Sequence, residues 1–304
     1  MGRKIGHRIV GIGPGRVELE DFPVPSPRNG ELLLETICTL ISPGTERAFL
    51  LGLPNTPNSF PHYPGYSNVG RVVSIGTGVE GFVIGDLVAS QTPHQSHAVI
   101  AVADAIGLRT GATPPEHAVF FNLGAVALQG VRKSRLEIGE PTLIIGLGLV
   151  GLLATGLSRL AGAYPLVTLD PVAERRGLSA RVGADASIDP RSDGFETRIR
   201  ECIGGSLPTV VIEATGAAEA VPLALKLAGE HGRVVLLAST RGVSDGIDFY
   251  TDIHRKGLTV IGAHNFVRPR EDSSPRFWTV RDDWQVVLSL ISSRRLDVSP
   301  LISH

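Results

Sequence analysis

The stretch Leu143-Ile-Ile-Gly146-Leu-Gly148-Leu-Val-Gly151 decides the fold of this chain. It joins a short apolar segment to an amphipathic one through the spacing G-x-G-x-x-G. In such a turn Gly146 permits the sharp change of direction, Gly148 lets the backbone approach a pyrophosphate, and Gly151 lets helix and strand pack closely. The first N–H groups of the helix, which would face the phosphates, belong to Leu149 and Val150. The stretch therefore predicts a strand, a dinucleotide-binding turn and a helix.

An acidic residue follows at the spacing that this kind of turn requires. The next apolar segment, Leu166–Asp170, ends about 20 residues beyond Gly151. The Asp170 carboxylate can accept hydrogen bonds from both ribose hydroxyls of the adenosine half and would repel the additional phosphate of NADP. An alternative is a surface aspartate that caps the next helix, and Arg175 and Arg176 would offset part of the repulsion. We predict NAD as the cofactor, with Asp170 and Arg175 at its ribose.

Beyond about residue 116, short apolar segments alternate with amphipathic ones. This alternation predicts parallel strands covered by helices on both faces, an α/β doubly wound sheet. The predicted strands are Thr142–Gly146, Leu166–Asp170, Ala186–Ile188, Thr209–Glu213, Arg233–Ala238 and Leu258–Gly262. The predicted helices are Glu116–Lys133, Val150–Ala161, Ala173–Val182, Glu196–Ile203, Ala217–Ala228 and Asp282–Ser293. Ligands bind at the carboxyl ends of such strands. The further cofactor contacts predicted there are Ala214, Thr215, Gly216 and Ala238; a simple turn capped by Thr215 is the alternative.

The first part of the chain has a different pattern. Short apolar stretches separated by proline and glycine predict a largely β domain. Gly11-Ile-Gly13-Pro-Gly15 is also rich in glycine, but no apolar helix follows it, so we interpret it as a turn between two strands. We predict a mostly-β domain over 1–115, a dinucleotide-binding domain over 116–264, and a shortened C-terminal segment, 265–304, that returns towards the first domain.

The composition is that of a globular protein. Of the 304 residues, 42% are hydrophobic and 19% are charged, and the formal net charge is −1. This balance argues against nucleic acid or an anionic membrane as the main partner. The N-terminus shows no apolar leader segment, and no apolar run is long enough for a membrane span. Two cysteines cannot form a disulfide framework. We therefore expect a cytoplasmic protein that acts on a small molecule.

Several motifs resemble those of the medium-chain dehydrogenase/reductase superfamily. They are Gly44-Thr45-Glu46, Pro64-Gly65 with Val69-Gly70, Gly85-Asp86, Ala127-Leu128 with Gly130-Val131, and Arg181-Val-Gly183-Ala-Asp185. The resemblance covers nearly the whole chain. It implies a GroES-like catalytic domain, a Rossmann domain and a nicotinamide-dependent oxidoreductase. It also implies a homodimer joined edge to edge through the sixth strand, Leu258–Gly262.

The chain departs from its zinc-dependent relatives at each ligand position. Pro43 stands where they have cysteine, Tyr66 where they have histidine, and Asn122 near their third ligand. Zinc prefers thiolate, imidazole or carboxylate ligands. The cluster of four cysteines that holds the structural zinc of these relatives is also absent. We therefore predict a zinc-free member, nearest to the branch that contains the hydroxyethyl-bacteriochlorophyllide dehydrogenase.

Without zinc, hydride transfer still needs a hydrogen-bond donor or proton acceptor at the reacting oxygen. Thr45 matches the hydroxyl that relays the proton in metal-dependent relatives, and Tyr66 replaces a ligand directly; the alternative is that Thr45 caps a helix and Tyr66 forms a wall. His264 is the best placed of the histidines, and the competing ones are His62, His94 and His97. We predict an NAD-dependent, zinc-independent interconversion of a secondary alcohol and a ketone. Two alternatives stay open, an enoyl or quinone double-bond reductase and a cofactor-binding protein without catalysis.

Overall fold

The computed structural model describes residues 4–108, 113–269, 271–274 and 277–303. The chain divides into two compact units, Met1–Asn122 and Leu123–His304. The division falls a few residues beyond the predicted boundary, at the start of a helix that runs from Phe121 to Ser134. Residues 265–304 group with the second unit, and their predicted return towards the first domain stays a prediction.

The first unit begins with an antiparallel hairpin, β1 (Ile5–Gly13) and β2 (Arg16–Pro23). In the glycine-rich segment, Gly11 and Gly13 end β1, and Pro14-Gly15 form the turn to β2. The interpretation of this segment as a turn between strands is therefore confirmed. Gly15 has a φ of +70°, a conformation that glycine adopts without strain.

A five-stranded antiparallel sheet forms the body of this unit. Its strands are β3 (Glu31–Thr39), β4 (Asn68–Ile75), β5 (Leu87–Ser90), β6 (His97–Ala101) and β7 (Ile106–Leu108). They lie in the order β6-β3-β4-β5-β7. The buried side chains of this sheet include Leu32, Leu34, Val72, Val88 and Ile100. The mostly-β prediction for the first domain is confirmed.

Helix α1 (Pro43–Leu51) connects β3 to β4 and was not predicted. Pro43 suits the first helical position because its missing N–H would have no partner there. Gly52 ends the helix in the left-handed conformation, with a φ of +61°. The Pro43-Gly44 pair, a turn signal by sequence, therefore opens a helix here.

The predicted helix Glu116–Lys133 is two helices in the structure, α2 (Pro115–Ala118) and α3 (Phe121–Ser134). At the break, the carbonyl of Val119 accepts a hydrogen bond from the Ser67 hydroxyl at 2.6 Å. A tertiary contact thus takes a carbonyl that a continuous helix would use, and local periodicity cannot reveal it.

The second unit contains a parallel sheet of six strands. They are β8 (Thr142–Ile145), β9 (Leu166–Leu169), β10 (Ala186–Ile188), β11 (Val210–Glu213), β12 (Arg233–Leu236) and β13 (Thr259–Gly262). The order is β10-β9-β8-β11-β12-β13, with every pairing parallel. The chain reverses its direction of winding between β8 and β11, which is where such sheets bind ligands. The predicted doubly wound sheet is confirmed.

Five further helices belong to this unit. They are α4 (Leu149–Ala161), α5 (Ala173–Arg181), α6 (Phe195–Cys202), α7 (Ala220–Leu227) and α8 (Val280–Ser292). The residues of the three central strands β8, β9 and β11 are all buried and mostly apolar, as both-sided covering requires. None of the described helices is long and apolar enough to cross a membrane.

Candidate cofactor and catalytic sites

The three glycines of the turn between β8 and α4 have different surroundings. A Cβ atom on Gly146, whose φ is +93°, would lie 2.6 Å from Thr215 Cγ2. A Cβ on Gly151 would lie 1.8 Å from the carbonyl oxygen of Gly146. A Cβ on Gly148 would meet no atom within 4 Å. Two glycines are therefore needed for packing within the protein, whereas the third leaves open space beside the backbone.

That open space lies at the N-terminus of α4. The helix starts after Gly148, and no side chain caps it. Leu149 and Val150 are its first residues, so their N–H groups have no acceptor inside the helix. Uncapped N–H groups and the positive end of the helix dipole together favour an anion. The residues present fit the pyrophosphate of a dinucleotide.

Asp170 lies directly beside this turn, just beyond the end of β9. Its side chain is almost fully buried. Oδ2 accepts the Leu147 N–H at 2.7 Å, and Oδ1 accepts the Val172 N–H at 2.8 Å. The carboxylate therefore shapes its own turn and also binds the glycine turn. Each oxygen keeps a further lone pair with which it could accept a ribose hydroxyl.

Arginines near Asp170 are mostly paired with a second carboxylate, Asp189, which follows β10. Arg176 Nη1 lies 3.3 Å from Asp189 Oδ2 and 2.7 Å from the carbonyl oxygen of Asp170. Arg191 Nη2 donates to Asp189 at 2.8 Å, and the hydrogen bonds from Arg191 hold the pKa of Asp189 well below its usual range. Arg175 approaches Asp170 only to 3.8 Å and is half exposed. Sequence analysis missed Asp189, although its place at a strand end is the signal that marked Asp170.

Glu213 is a fully buried carboxylate at the end of β11. Its Oε1 accepts the N–H groups of Thr215 at 2.6 Å and Gly216 at 3.2 Å, and also the Thr215 hydroxyl. Burial raises the pKa of Glu213. The Thr215 oxygen accepts the Ala217 N–H at 2.9 Å, so Thr215 does cap this turn. The turn thus packs against Gly146 through Thr215, and sequence analysis missed the glutamate that holds it.

The remaining predicted cofactor contacts border the same turn. The backbone N–H of Ala238 donates to the carbonyl of Glu213 at 3.2 Å, which places Ala238 beside Ala214. His264, a predicted catalytic residue, lies just beyond β13 with an exposed ring. Its Nδ1 accepts the Phe266 N–H at 3.3 Å, so the ring caps a short 3₁₀ turn. A catalytic role for His264 stays a prediction.

Thr45 and Tyr66 belong to the first unit. Thr45 lies inside the first turn of α1, whose capping position is occupied by Ser42. The alternative that Thr45 caps this helix is therefore wrong. Its side chain is half-buried, and no hydrogen bond of its hydroxyl is found among the described residues. Tyr66 is also half-buried and precedes β4, where its carbonyl accepts the Asn122 side-chain N–H at 2.7 Å.

Two of the positions that the resemblance assigns to zinc ligands, Pro43 and Asn122, do not fit a metal. Pro43 has no donor atom. Asn122 is buried, and its amide is engaged on both sides, with Oδ1 accepting from Gln91 at 3.0 Å and Nδ2 donating to Tyr66. Within 4–108, 113–269, 271–274 and 277–303, no group of three or more His, Cys, Asp or Glu side chains is arranged to hold a metal ion.

The chain is similar to dehydrogenases over most of its length. Residues 150–292 match the family of zinc-binding dehydrogenases. L-Threonine 3-dehydrogenase of Pyrococcus abyssi is 28% identical over 94% of this chain and 87% of its own. Sorbitol dehydrogenase of Ovis aries is 24% identical over 97% and 88%.

Solved structures share the fold. A protein from Sinorhizobium meliloti 1021, described as a zinc-binding dehydrogenase and bound to NADP, superposes with a TM-score of 0.84 at 24% identity, over 99% of this chain and 92% of its own. An Escherichia coli alcohol dehydrogenase complexed with NADH gives a TM-score of 0.79 at 19% identity, over 98% and 90%. Taken with the glycine turn and the strand order, these similarities support an oxidoreductase that is similar to medium-chain dehydrogenases/reductases and shares their fold.

Proposed function

We propose that the protein is a zinc-independent, NAD(H)-dependent oxidoreductase that interconverts a secondary alcohol and a ketone. The observation that carries the proposal is the hydrogen bond from the Leu147 N–H to Asp170, which sets a carboxylate beside an open phosphate-binding turn. Relatives are named as dehydrogenases of L-threonine, D-guloside and sorbitol, all of them hydroxylated small molecules. Their names support alcohol–ketone chemistry over double-bond reduction.

The preference for NAD follows from the charges around Asp170. A 2′-phosphate would meet this carboxylate, while Arg176 and Arg191 are already paired with Asp189. We expect NADH to bind more tightly than NADPH by about 1–3 kcal/mol, roughly a factor of 5 to 150. Fluorescence titration of both cofactors measures the difference, and Asp170→Gly should narrow it. Equal or tighter binding of NADPH by the unmodified protein would contradict the preference.

The chemical step relies on hydroxyl groups of the first unit. When bound, the dinucleotide accepts or supplies the hydride. Tyr66 donates a hydrogen bond to the developing alkoxide during ketone reduction, because a phenol O–H is a donor that stabilises negative charge on a nearby oxygen. Thr45, whose hydroxyl has no partner among the described residues, relays the proton, from solvent to the alkoxide in ketone reduction and from the alcohol to solvent in alcohol oxidation.

Two measurements test the function as a whole. A panel of secondary alcohols, ketones and enones should show turnover with the first two classes and NAD(H); activity on enones alone would favour the double-bond reductase. Elemental analysis should find well under one zinc per chain, and activity should survive a chelator. Stoichiometric zinc with chelator-sensitive turnover would contradict zinc independence.

A homodimer is the assembly we propose. β13 lies at the end of the sheet and pairs with β12 on one side. Val260, in the middle of β13, is 42% exposed. An apolar strand with an unpaired edge is a liability unless another chain covers it. Light scattering at micromolar concentration distinguishes dimer from monomer. The cytosolic location and the bacteriochlorophyllide dehydrogenase branch stay predictions.

A further inference from the structure

A histidine in the first unit has both ring nitrogens engaged away from solvent. His94 Nε2 lies 2.8 Å from Glu46 Oε2, and Nδ1 lies 2.8 Å from Thr39 Oγ1. The side chains of His94 and Glu46 are each only 12% exposed. An ionised carboxylate can only accept hydrogen bonds, so Nε2 of His94 is the donor to Glu46, and Nδ1 forms the hydrogen bond with the Thr39 hydroxyl.

Glu46 connects this imidazole to the start of α1. Its other oxygen, Oε1, accepts the backbone N–H of Ser42 at 2.7 Å. With both oxygens engaged, the Glu46 side chain is held in one orientation between His94 and the N-terminus of α1. Thr45 is the preceding residue in the same helical turn. The bond between His94 and Glu46 therefore fixes the backbone that carries Thr45.

The same histidine fixes the turn before Tyr66. The backbone N–H of His94 donates to the Pro64 carbonyl at 2.8 Å. Gly65 has a φ of +98°, and a Cβ there would lie 2.6 Å from His94 N and 2.8 Å from His94 Cγ. Only glycine lets the backbone before Tyr66 approach the imidazole so closely. One buried side chain thus contacts both segments that carry the hydroxyl groups of the proposed chemistry.

We propose that His94 is a positioning residue, which acts through Glu46 and the Pro64-Gly65 turn to hold Thr45 and Tyr66 in the orientation that the reaction requires. The inference rests on the proposed function for the identity of that reaction. A displacement of about 1 Å at a reacting group can cost on the order of 100-fold in rate. Loss of the positioning by His94 should therefore lower kcat.

Two substitutions test the contacts of the two ring nitrogens of His94 separately. His94→Gln extends an amide to the position of Nε2 and preserves the contact with Glu46. His94→Asn places its amide near Nδ1, so it keeps the contact with Thr39 and loses the one with Glu46. We expect His94→Asn to lower kcat by at least about tenfold, and His94→Gln to retain most of it. The substrate KM and the NADH Kd should stay unchanged in both variants. His7→Asn, which alters an exposed histidine paired with Asp21, is the control for the loss of an imidazole.

A measurement without substrate tests the positioning directly. Hydrogen exchange should be faster in His94→Asn than in His94→Gln for peptides that cover α1 and residues 64–67. Equal exchange and equal kcat in the two variants, or a change confined to KM, would overturn the proposal. Faster exchange in His94→Asn, with no turnover of any panel substrate by the unmodified protein, would support the positioning while refuting the proposed function.

Discussion

Two alanine substitutions in one glycine turn should have opposite consequences. At Gly151 the added Cβ would lie 1.8 Å from the Gly146 oxygen, whereas real contacts of this kind are essentially never shorter than 3.0 Å. Helix α4 or the turn must therefore move by more than about 1 Å. Gly146 cannot yield easily, because it already packs against Thr215. Overpacking of this kind costs about 1–3 kcal/mol, which lowers Tm by about 2–5 °C in a chain of this size.

At Gly148 the added methyl group meets nothing within 4 Å, and the backbone, with φ −64° and ψ 178°, is ordinary for alanine. Folding should be nearly unaffected, apart from a loss of about 1 kcal/mol or less because alanine is a poor residue before a helix. The methyl group does occupy the space in which a pyrophosphate would reach the helix N–H groups. We expect the NADH Kd to rise at least about tenfold, or about 1.4 kcal/mol.

Thermal unfolding followed by circular dichroism, together with fluorescence titration of NADH, measures both effects. Gly177→Ala is a matched control in the middle of α5, where a Cβ also meets nothing within 4 Å. It should bind NADH normally and gain about 0.5–1 kcal/mol from helix propensity. If Gly148→Ala binds NADH as tightly as the unmodified protein while Gly151→Ala melts at the same temperature, the roles assigned to the two glycines are wrong.

Three further changes have defined outcomes. Tyr66→Phe should lower kcat by at least about tenfold with the NADH Kd unchanged, and full activity would leave Tyr66 a packing residue only. Lys256→Met should lower the free energy of unfolding by about 1–3 kcal/mol, because Lys256 Nζ donates to three carbonyls at the C-terminal end of α7, those of Leu225, Lys226 and Ala228. Urea unfolding measures the change, and an unchanged midpoint would show that Lys256 does not cap α7. Burial and the nearby Glu116 raise the pKa of the Cys38 thiol to about 11. Iodoacetamide at pH 8 should therefore modify exposed Cys202 far faster than Cys38, and comparable rates at the two cysteines would contradict the raised pKa.

Some parts of the molecule were predictable because they follow from short-range patterns. The alternation of parallel strands and helices in the second unit follows from alternating apolar and amphipathic segments. The roles of Gly146 and Gly151 follow from the spacing of one motif. Helix α1 was missed because Pro43-Gly44 signals a turn as well as a helix start. The break between α2 and α3 depends on Ser67, which is distant in sequence from the carbonyl that it engages.

The buried polar contacts of the sites were harder to predict, because both partners must be known. Glu46 and His94 lie 48 positions apart. Neither residue has a local signal that selects the other. Glu213 was visible as a carboxylate in an apolar strand, yet its bonds to the following turn emerge only from the turn geometry. Sequence located Asp170 at its strand end but not the N–H groups that it binds, and it missed the roles of Asp189 and Glu213.

The ligand positions of the zinc-dependent relatives show how this chain uses the same part of the fold differently. Asn122 connects the Gln91 side chain to the Tyr66 backbone. Asn122 is buried, and a buried amide that loses a partner costs about 1–3 kcal/mol. The connection therefore fixes the backbone at Tyr66 from one side, while the packing of His94 against Gly65 restrains it from the other. A bound metal would orient its ligands from a single centre. In this chain, separate contacts through Asn122 and His94 hold the backbone at Tyr66. In the proposed zinc-independent chemistry, rigidity of the backbone at Tyr66 takes over the positioning, and this is why substitutions at His94 are expected to change turnover more than binding.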